Sequence, residues 1–303
     1  MVDRNAIISK IYFDRSGHGS IKTTLDDARK IDKSITINDV KEFFNNNVEK
    51  KSNLKGDNTF IAPHSYYEYQ ADLFFIPNDE FLSNQNFKVG MLMIDIFTKY
   101  MWVVALKSKS EGDVASGLIE CIHKMNHKPQ ILYTDDEKSL SSDAIQKYLK
   151  DENIKHIISR TSAWFSERGI RTFKDMLYKR VEQSNKKSIQ WNELIFEILL
   201  TYNNKLKNSI TKFTPSDARK TQNEFEVRIN LLLNKKHTRI YPELKTDDKV
   251  KIYRKKRTGE KERTSKWSDN SYEIEKIGKS IGQKYYTLKG LDKQYLRHEL
   301  LKT

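Results

Sequence analysis

Apolar and polar positions follow three different rhythms along this chain, and the changes of rhythm divide it. Up to about Asn58 the apolar residues recur at helical spacing in a polar background. Ser20 is placed to cap a helix through Lys30. Asn38 is placed to cap another over Asp39–Asn46, whose Val40, Phe43 and Phe44 share one face. A short helix, a turn through Ser34–Ile37 and a second capped helix suit a small helix-turn-helix or winged-helix module, or equally a helical packing arm. Lys50–Asn58 (KKSNLKGDN) reads as a linker, so residues 1–58 form the first predicted unit.

From Thr59 to Lys220 strand-like runs alternate with helical stripes. Tyr69–Ile76 (YQADLFFI) reads as a strand closed by Pro77, and Lys88–Thr98 and Tyr100–Lys107 as two more, joined tightly at Thr98–Lys99. Glu111–Met125 carries a helical stripe of Val114, Leu118, Ile119 and Ile122. Gln130–Tyr133 is a short buried strand after Pro129. Asp143–Leu149 is a helix, Lys155–Ser159 a strand, and Ala163–Arg180 and Ile189–Tyr202 are helices. This α/β order is that of a ribonuclease-H-like core over residues 59–220.

Residues 221–243 read as a linker. After Pro242 the pattern changes again: Asp248–Arg254, Ser271–Ile277, Lys284–Leu288 and Gln294–Arg297 are short β segments separated by polar turns. That spacing suits a small C-terminal SH3-like β-barrel over residues 244–303. Trp267, Tyr272 and Tyr286 are assigned to its core.

Composition narrows the picture. The 303 residues are enough for two or three domains, and 37% apolar residues with 4 Trp, 15 Tyr and 14 Phe can fill real cores. No apolar run approaches the ~20 residues of a membrane span, and the N-terminus lacks the pattern of a secretory signal. The single cysteine, Cys121, permits no intramolecular disulfide framework and no zinc site built on two or more thiolates. It fits a reducing, intracellular compartment and reads as a core residue. His18 and His156 lack partners at metal-ligand spacing and are assigned structural roles.

The formal charge is +14, and Lys245 to Lys302 holds 17 Lys and Arg against 9 Asp and Glu. A surplus of this kind attracts polyanions, which favours nucleic acid over a membrane surface here, because no long basic amphipathic helix is present. The cluster Arg254, Lys255, Lys256 and Arg257 is suited to phosphates without reading sequence, and also matches a nuclear-localisation pattern.

Three acids occupy places where chemistry is built. Asp72 sits mid-strand among Tyr69, Phe74 and Phe75, where a carboxylate is expensive unless a cation compensates it. Asp135 ends the QILYT strand, the end at which open α/β sheets hold their ligands. Glu167 starts the helix after the next strand. Arg171 and Lys174 follow on the same helical face, four and seven residues later, within reach of substrate phosphates.

With these residues in place, the chain resembles the retroviral-type (rve) integrase and DDE transposase superfamily, most closely the integrases of Maverick/Polinton elements and virophages. The resemblance runs from about Tyr69 to the C-terminus. It rests on YQADLFF at Tyr69–Phe75, MLMIDIFTKYMWVVALKSKS at Met91–Ser110, YTDDEKSL at Tyr133–Leu140 and SERGIRTFKDML at Ser166–Leu177. YNNKLKNSITKFTPSDA at Tyr202–Ala218, together with DDKVKIYRKK and KWSDNSYEIEKI in the tail, extends it.

Carried across by position, the resemblance implies that Asp72, Asp135 and Glu167 are catalytic residues and metal ligands. They would hold two Mg2+ ions, or Mn2+, for DNA end processing and strand transfer. Arg171, Lys174 and the Arg254–Arg257 cluster would bind DNA. The implied partners are double-stranded DNA, both element ends and target, and further copies of the chain assembled on it. The implied location is a host nucleus, or a virion or viral factory. There are two departures. The Gly usual two places after the second Asp is Glu137, so Asp136 or Glu137 is a candidate addition to the acidic cluster. The interval from Asp135 to Glu167 is also about two residues short, in a loop, where length varies freely. The zinc-binding N-terminal domain of retroviral integrases has no counterpart in residues 1–58. A non-catalytic DNA-binding descendant and a hydrolysis-only, metal-dependent nuclease are the alternatives to an integrase.

Overall fold

The computed structural model describes residues 3–48, 60–78, 82–84, 86–159, 163–184, 188–237, 239–254, 266–280 and 283–303. The expected linker Lys50–Asn58 and the basic residues Lys255, Lys256 and Arg257 lie outside them. The chain divides into two compact units, Met1–Lys55 and Gly56–Thr303.

The first unit has three helices: α1 (Arg4–Tyr12), α2 (Ile21–Ile31) and α3 (Ile37–Asn47). Ser20 caps α2 as expected, its Oγ accepting from Thr23 N at 3.2 Å. The cap of α3 is Thr36, two residues before the predicted Asn38. Thr36 N donates to Asp39 Oδ2 (2.7 Å) while Asp39 N donates to Thr36 Oγ1 (3.3 Å). This reciprocal box satisfies two donors that a helix start otherwise leaves open, and Asn38 has no such arrangement to offer. Ile8, Leu25, Ala28, Ile35, Val40 and Phe43 are buried together as the core. His18 is part of an aromatic cluster, edge-on to Tyr12 and Phe13.

The second unit begins with β1 (Glu68–Phe75), β2 (Leu82–Ser83), β3 (Val89–Asp95), β4 (Met101–Leu106), α4 (Glu111–Lys124), β5 (Ile131–Asp135), α5 (Asp143–Asp151) and β6 (Lys155–Ser159). It continues with α6 (Trp164–Ser184), β7 (Ile189–Gln190), α7 (Ile195–Asn204), α8 (Pro215–Ala218) and α9 (Glu224–Leu233). One sheet has the order β4-β3-β1-β5-β6; β3 runs antiparallel to both β1 and β4, and β1, β5 and β6 are parallel. This is the mixed α/β sheet expected from the sequence. β1 lies at its centre, so its two faces are covered by different helices. Tyr69, Ala71 and Leu73 pack with Val114, Leu118 and Cys121 of α4, while Phe74 packs with Phe173 and Leu177 of α6 and Ile198 of α7. Gly90 stands opposite Phe74 in the β1–β3 register, and the Phe74 ring fills the space that a Cβ there would need.

Three expectations are corrected here. Ile119 is 41% exposed, because it lies about 100° further round α4 than Leu118, and Cys121 completes the buried stripe instead. The segment Ile189–Tyr202 is not one helix. Ile189 and Gln190 pair with β2, Trp191–Leu194 is a 3-10 turn, and the helix starts only at Ile195. The indole of Trp191 is fully buried and donates to Phe87 O at 2.7 Å, which holds that turn against the core. Residues 221–243, read as a linker, contain α9, whose Val227 and Leu231 are buried beside Ile131 and Ile157.

The remaining strands are β8 (Lys249–Ile252), β9 (Tyr272–Ser280), β10 (Gln283–Leu288), β11 (Leu291–Tyr295) and β12 (Leu300–Lys302). They form an antiparallel sheet of order β11-β10-β9-β8-β12. Among the described residues its two outer strands do not pair, so closure of the expected SH3-like barrel is not seen. Tyr286 is buried in its core with Val250, Ile274 and Leu300, and Tyr272 packs against it. Trp267 stands edge-on to Tyr253. This sheet meets the first one along β6. Tyr285 is buried with Ile157 and Tyr133, and Lys155 Nζ stands 3.5 Å from the Tyr285 ring. Among the described residues no helix is long and apolar enough to cross a membrane.

Candidate metal centre

Asp72 is the fifth residue of β1 and, by strand alternation, shares the face of Gln70 and Phe74 that α6 covers. Asp135 is the last residue of β5, the parallel neighbour of β1. The adjacency of the two strands brings these carboxylates together. Glu137, two residues on, turns back to join them, and single carboxylate oxygens of Asp72, Asp135 and Glu137 all lie within 4.8 Å of one another. Asp136 points elsewhere, to Lys293 of β11 at 3.4 Å.

Beside two other carboxylates, Asp72 resists ionisation. The Asp72 carboxyl is pushed up to about 7, first by burial and then by the charge of Asp135, with Glu167 and Glu137 adding to it. Leu73 N donates to Asp72 Oδ1 at 2.8 Å and opposes the shift. A set of hard oxygen donors converging on one point, with one acid reluctant to ionise, fits a divalent cation of the Mg2+ type.

Glu167 stands in the first turn of α6, exposed, and near enough for its charge to act on Asp72. It is outside the group of three within 4.8 Å. Lys174, on the same helix face, is half-buried with its Nζ 5.6 Å from the Phe74 ring, and burial lowers its pKa. Arg171 and Arg254 are exposed.

Lys109 is a functional candidate that sequence reasoning missed. Its Nζ pairs with Glu137 Oε1 and lies 4.5 Å from the Phe75 ring, so a cation stands at the edge of the acidic cluster. No spacing rule connects positions 109 and 137; only the fold does. His156, read from the sequence as structural, is held by two side chains. It is half-buried between Gln146 (Nε2 to Nδ1, 2.7 Å) and Thr134 (Oγ1 to Nε2, 2.9 Å), and its pKa falls to about 4 through desolvation.

No family model matches the sequence, and no curated protein matches it. Among solved structures, a chain of the simian T-cell lymphotropic virus intasome in complex with PP2A regulatory subunit B56 gamma is similar over 99% of both chains. The TM-score is 0.57 and the sequence identity 13%. The HTLV-2 integrase catalytic core domain, solved with magnesium in trimeric and dimeric forms, matches 52% of this chain and 99% of its own at 18% identity, with a TM-score of 0.45 in both forms. At this identity the similarity shows the fold alone.

Proposed function

We propose that this protein is a DDE-type integrase, a polynucleotidyl transferase that trims the ends of a mobile or viral double-stranded DNA element and joins them to target DNA. The observation that carries the reading is the convergence of Asp72 and Asp135, from adjacent strand positions, with a third carboxylate within 4.8 Å. The fold shared with the intasome chain supports it. Asp72, Asp135 and Glu167 are the proposed catalytic ligands, with Glu137 as an added carboxylate. Two Mg2+ ions, or Mn2+, held there would supply the Lewis acidity that activates an attacking oxygen and stabilises a leaving one.

The chain's own groups do the rest. Lys174 and Arg171 hold phosphates beside the acids, and Lys109 adds a cation at their edge. The C-terminal sheet, with the Arg254–Arg257 cluster, is the proposed DNA-gripping unit, an opened relative of an SH3-like barrel. Joining two element ends to two target strands needs two such centres, so the working form is a homo-multimer assembled on DNA. The resemblance to Maverick/Polinton and virophage integrases supports placing the protein within that group, acting in a nucleus or within a virion.

The test mixes the protein with Mg2+ and labelled duplexes ending in the terminal sequences of the element that carries the gene. Joined products support an integrase, cut products alone a hydrolytic nuclease, and bound but unchanged DNA a non-catalytic descendant. Asp72→Asn, Asp135→Asn and Glu167→Gln are each expected to abolish cutting and joining while DNA binding persists.

A further inference from the structure

The strand that carries Asp72 also touches the helix that carries Glu167, through a residue with no assigned role. Phe165 N, in the first turn of α6, donates to Gln70 Oε1 at 2.9 Å across 95 residues of sequence. Gln70 precedes Asp72 by two positions on the same face of β1, and Phe165 precedes Glu167 by two positions on α6. We propose that Gln70 is a positioning residue that sets where Glu167 stands relative to Asp72; this rests on the reading of Glu167 as a metal ligand.

The physical case begins with the helix start. The first N–H groups of a helix have no partner within it, and a buried one must be satisfied from outside or drawn toward water. Gln70 is only 6% exposed and supplies that partner. Its amide cannot turn over, because Nε2 donates to Glu68 Oε1 at 3.1 Å. Glu68 is itself 2% exposed, and the Phe165 N–H takes the amide oxygen, which leaves the NH2 end for Glu68. Burying a Gln in a central strand is costly unless both ends are bonded, and here both are.

A second hold acts on the same residue from the other side. Lys99 Nζ stands 4.0 Å from the Phe165 ring and is anchored on Ile96 O. Phe165 is therefore gripped by its backbone and its ring. One turn on, Gly169 lets α6 approach the sheet: a Cβ there would come within 3.1 Å of Leu92 Cδ2. Glu167 lies between these two contacts on a rigid turn, so any lift of Phe165 is passed on to its carboxylate.

The experiment measures Mg2+ binding to the full-length protein by calorimetry without DNA, alongside thermal unfolding. Gln70→Leu is expected to weaken Mg2+ binding by about tenfold or more, the range seen when groups that orient metal ligands are removed. The double variant with Glu167→Gln should be no weaker than Glu167→Gln alone, since both act on one ligand. Exchanging the pair (Glu68→Gln with Gln70→Glu) keeps a donor at 68 and an acceptor at 70 and should recover near-native affinity. If Gln70→Leu fails to fold, this exchanged variant decides: near-native Mg2+ binding supports the proposal, and a tenfold loss overturns it. A Gln70→Leu protein that melts earlier yet binds Mg2+ normally also overturns it, as does a loss that adds fully to that of Glu167→Gln. If Glu167→Gln itself leaves Mg2+ binding unchanged, the ligand assignment has failed, and the positioning role falls with it.

Discussion

Lys109 and Glu137 form an ion pair at the edge of the carboxylate cluster, joining the turn before α4 to the turn after β5. The pair balances the charge that Glu137 brings beside Asp72 and Asp135. It also poses a choice between Glu137 and Glu167 as third ligand. Glu137→Gln is expected to lower Mg2+ affinity by less than about tenfold and to leave the pattern of DNA products unchanged, whereas Glu167→Gln removes the products. Calorimetry and a gel assay on both variants check this. The reverse outcome assigns the ligand to Glu137.

The raised pKa of Asp72 gives a pH dependence of definite sign. Its carboxyl ionises near 3.8 when unperturbed and near 7 in the folded, metal-free protein. The folded state therefore binds the proton more tightly, and its stability falls as pH rises from about 4 to about 7. Glu68, raised by burial to about 7, adds to the same slope. Asp72→Asn is expected to flatten part of this decline in thermal unfolding with EDTA present. Mg2+ competes with the Asp72 proton, so its affinity should rise with pH, by at most about tenfold per unit, and level off above about 7. Titrations at three pH values across this window would detect it.

Neutralising Arg254, Lys255, Lys256 and Arg257 together is expected to weaken binding to all DNA sequences alike. The dependence of log affinity on log salt should flatten by up to roughly 0.9 for each phosphate that is no longer neutralised. Binding curves on two unrelated duplexes over a salt series check it; weakening confined to one sequence would mean that the segment reads bases.

The proposed assembly on DNA has a restricted set of apolar candidates. Among the apolar residues of α6 and of the segment 189–202, Trp191, Ile198 and Leu199 are buried in their own core, and Phe165, Leu194 and Ile195 pack against it. Trp164 is 54% exposed, and Phe196 and Leu200, one turn apart on α7, are 65% and 45% exposed. Phe196→Glu with Leu200→Glu should reduce the mass of the protein–DNA complex in light scattering and lower joining while leaving Mg2+ binding intact. A joining-competent complex containing one chain would sink the idea.

Asn203 ties α7 to the edge of the sheet. Its Oδ1 accepts from Met101 N at 3.2 Å and its Nδ2 donates to Met101 O at 2.9 Å, with the side chain buried. Asn203→Ala leaves two buried backbone groups without these partners and is expected to cost about 2–4 kcal/mol, read as a lower urea midpoint. A change under about 0.5 kcal/mol would show that water replaces the amide.

Local chemistry determined the strands and two of the acids. β6 spans Lys155–Ser159 as read from sequence, and β1 is shifted by one residue at each end, because short apolar runs, here one closed by Pro77, are local signals. A carboxylate inside such a run, as at Asp72, stands out for the same reason. What tertiary structure alone decided is which neighbour of Asp135 joins the site. Asp136 and Glu137 are adjacent and equally acidic, and they part because Lys293 draws one and Lys109 the other from distant segments. The break in the Ile189–Tyr202 pattern has the same origin: its apolar spacing suits a helix, but Ile189 is claimed by β2 and Trp191 by Phe87. Gln70 and Phe165 meet only because a central strand and a crossing helix are packed face to face. Periodicity records which side of an element is buried; it carries no information about which partner lies on the other side, and that partner determines the site.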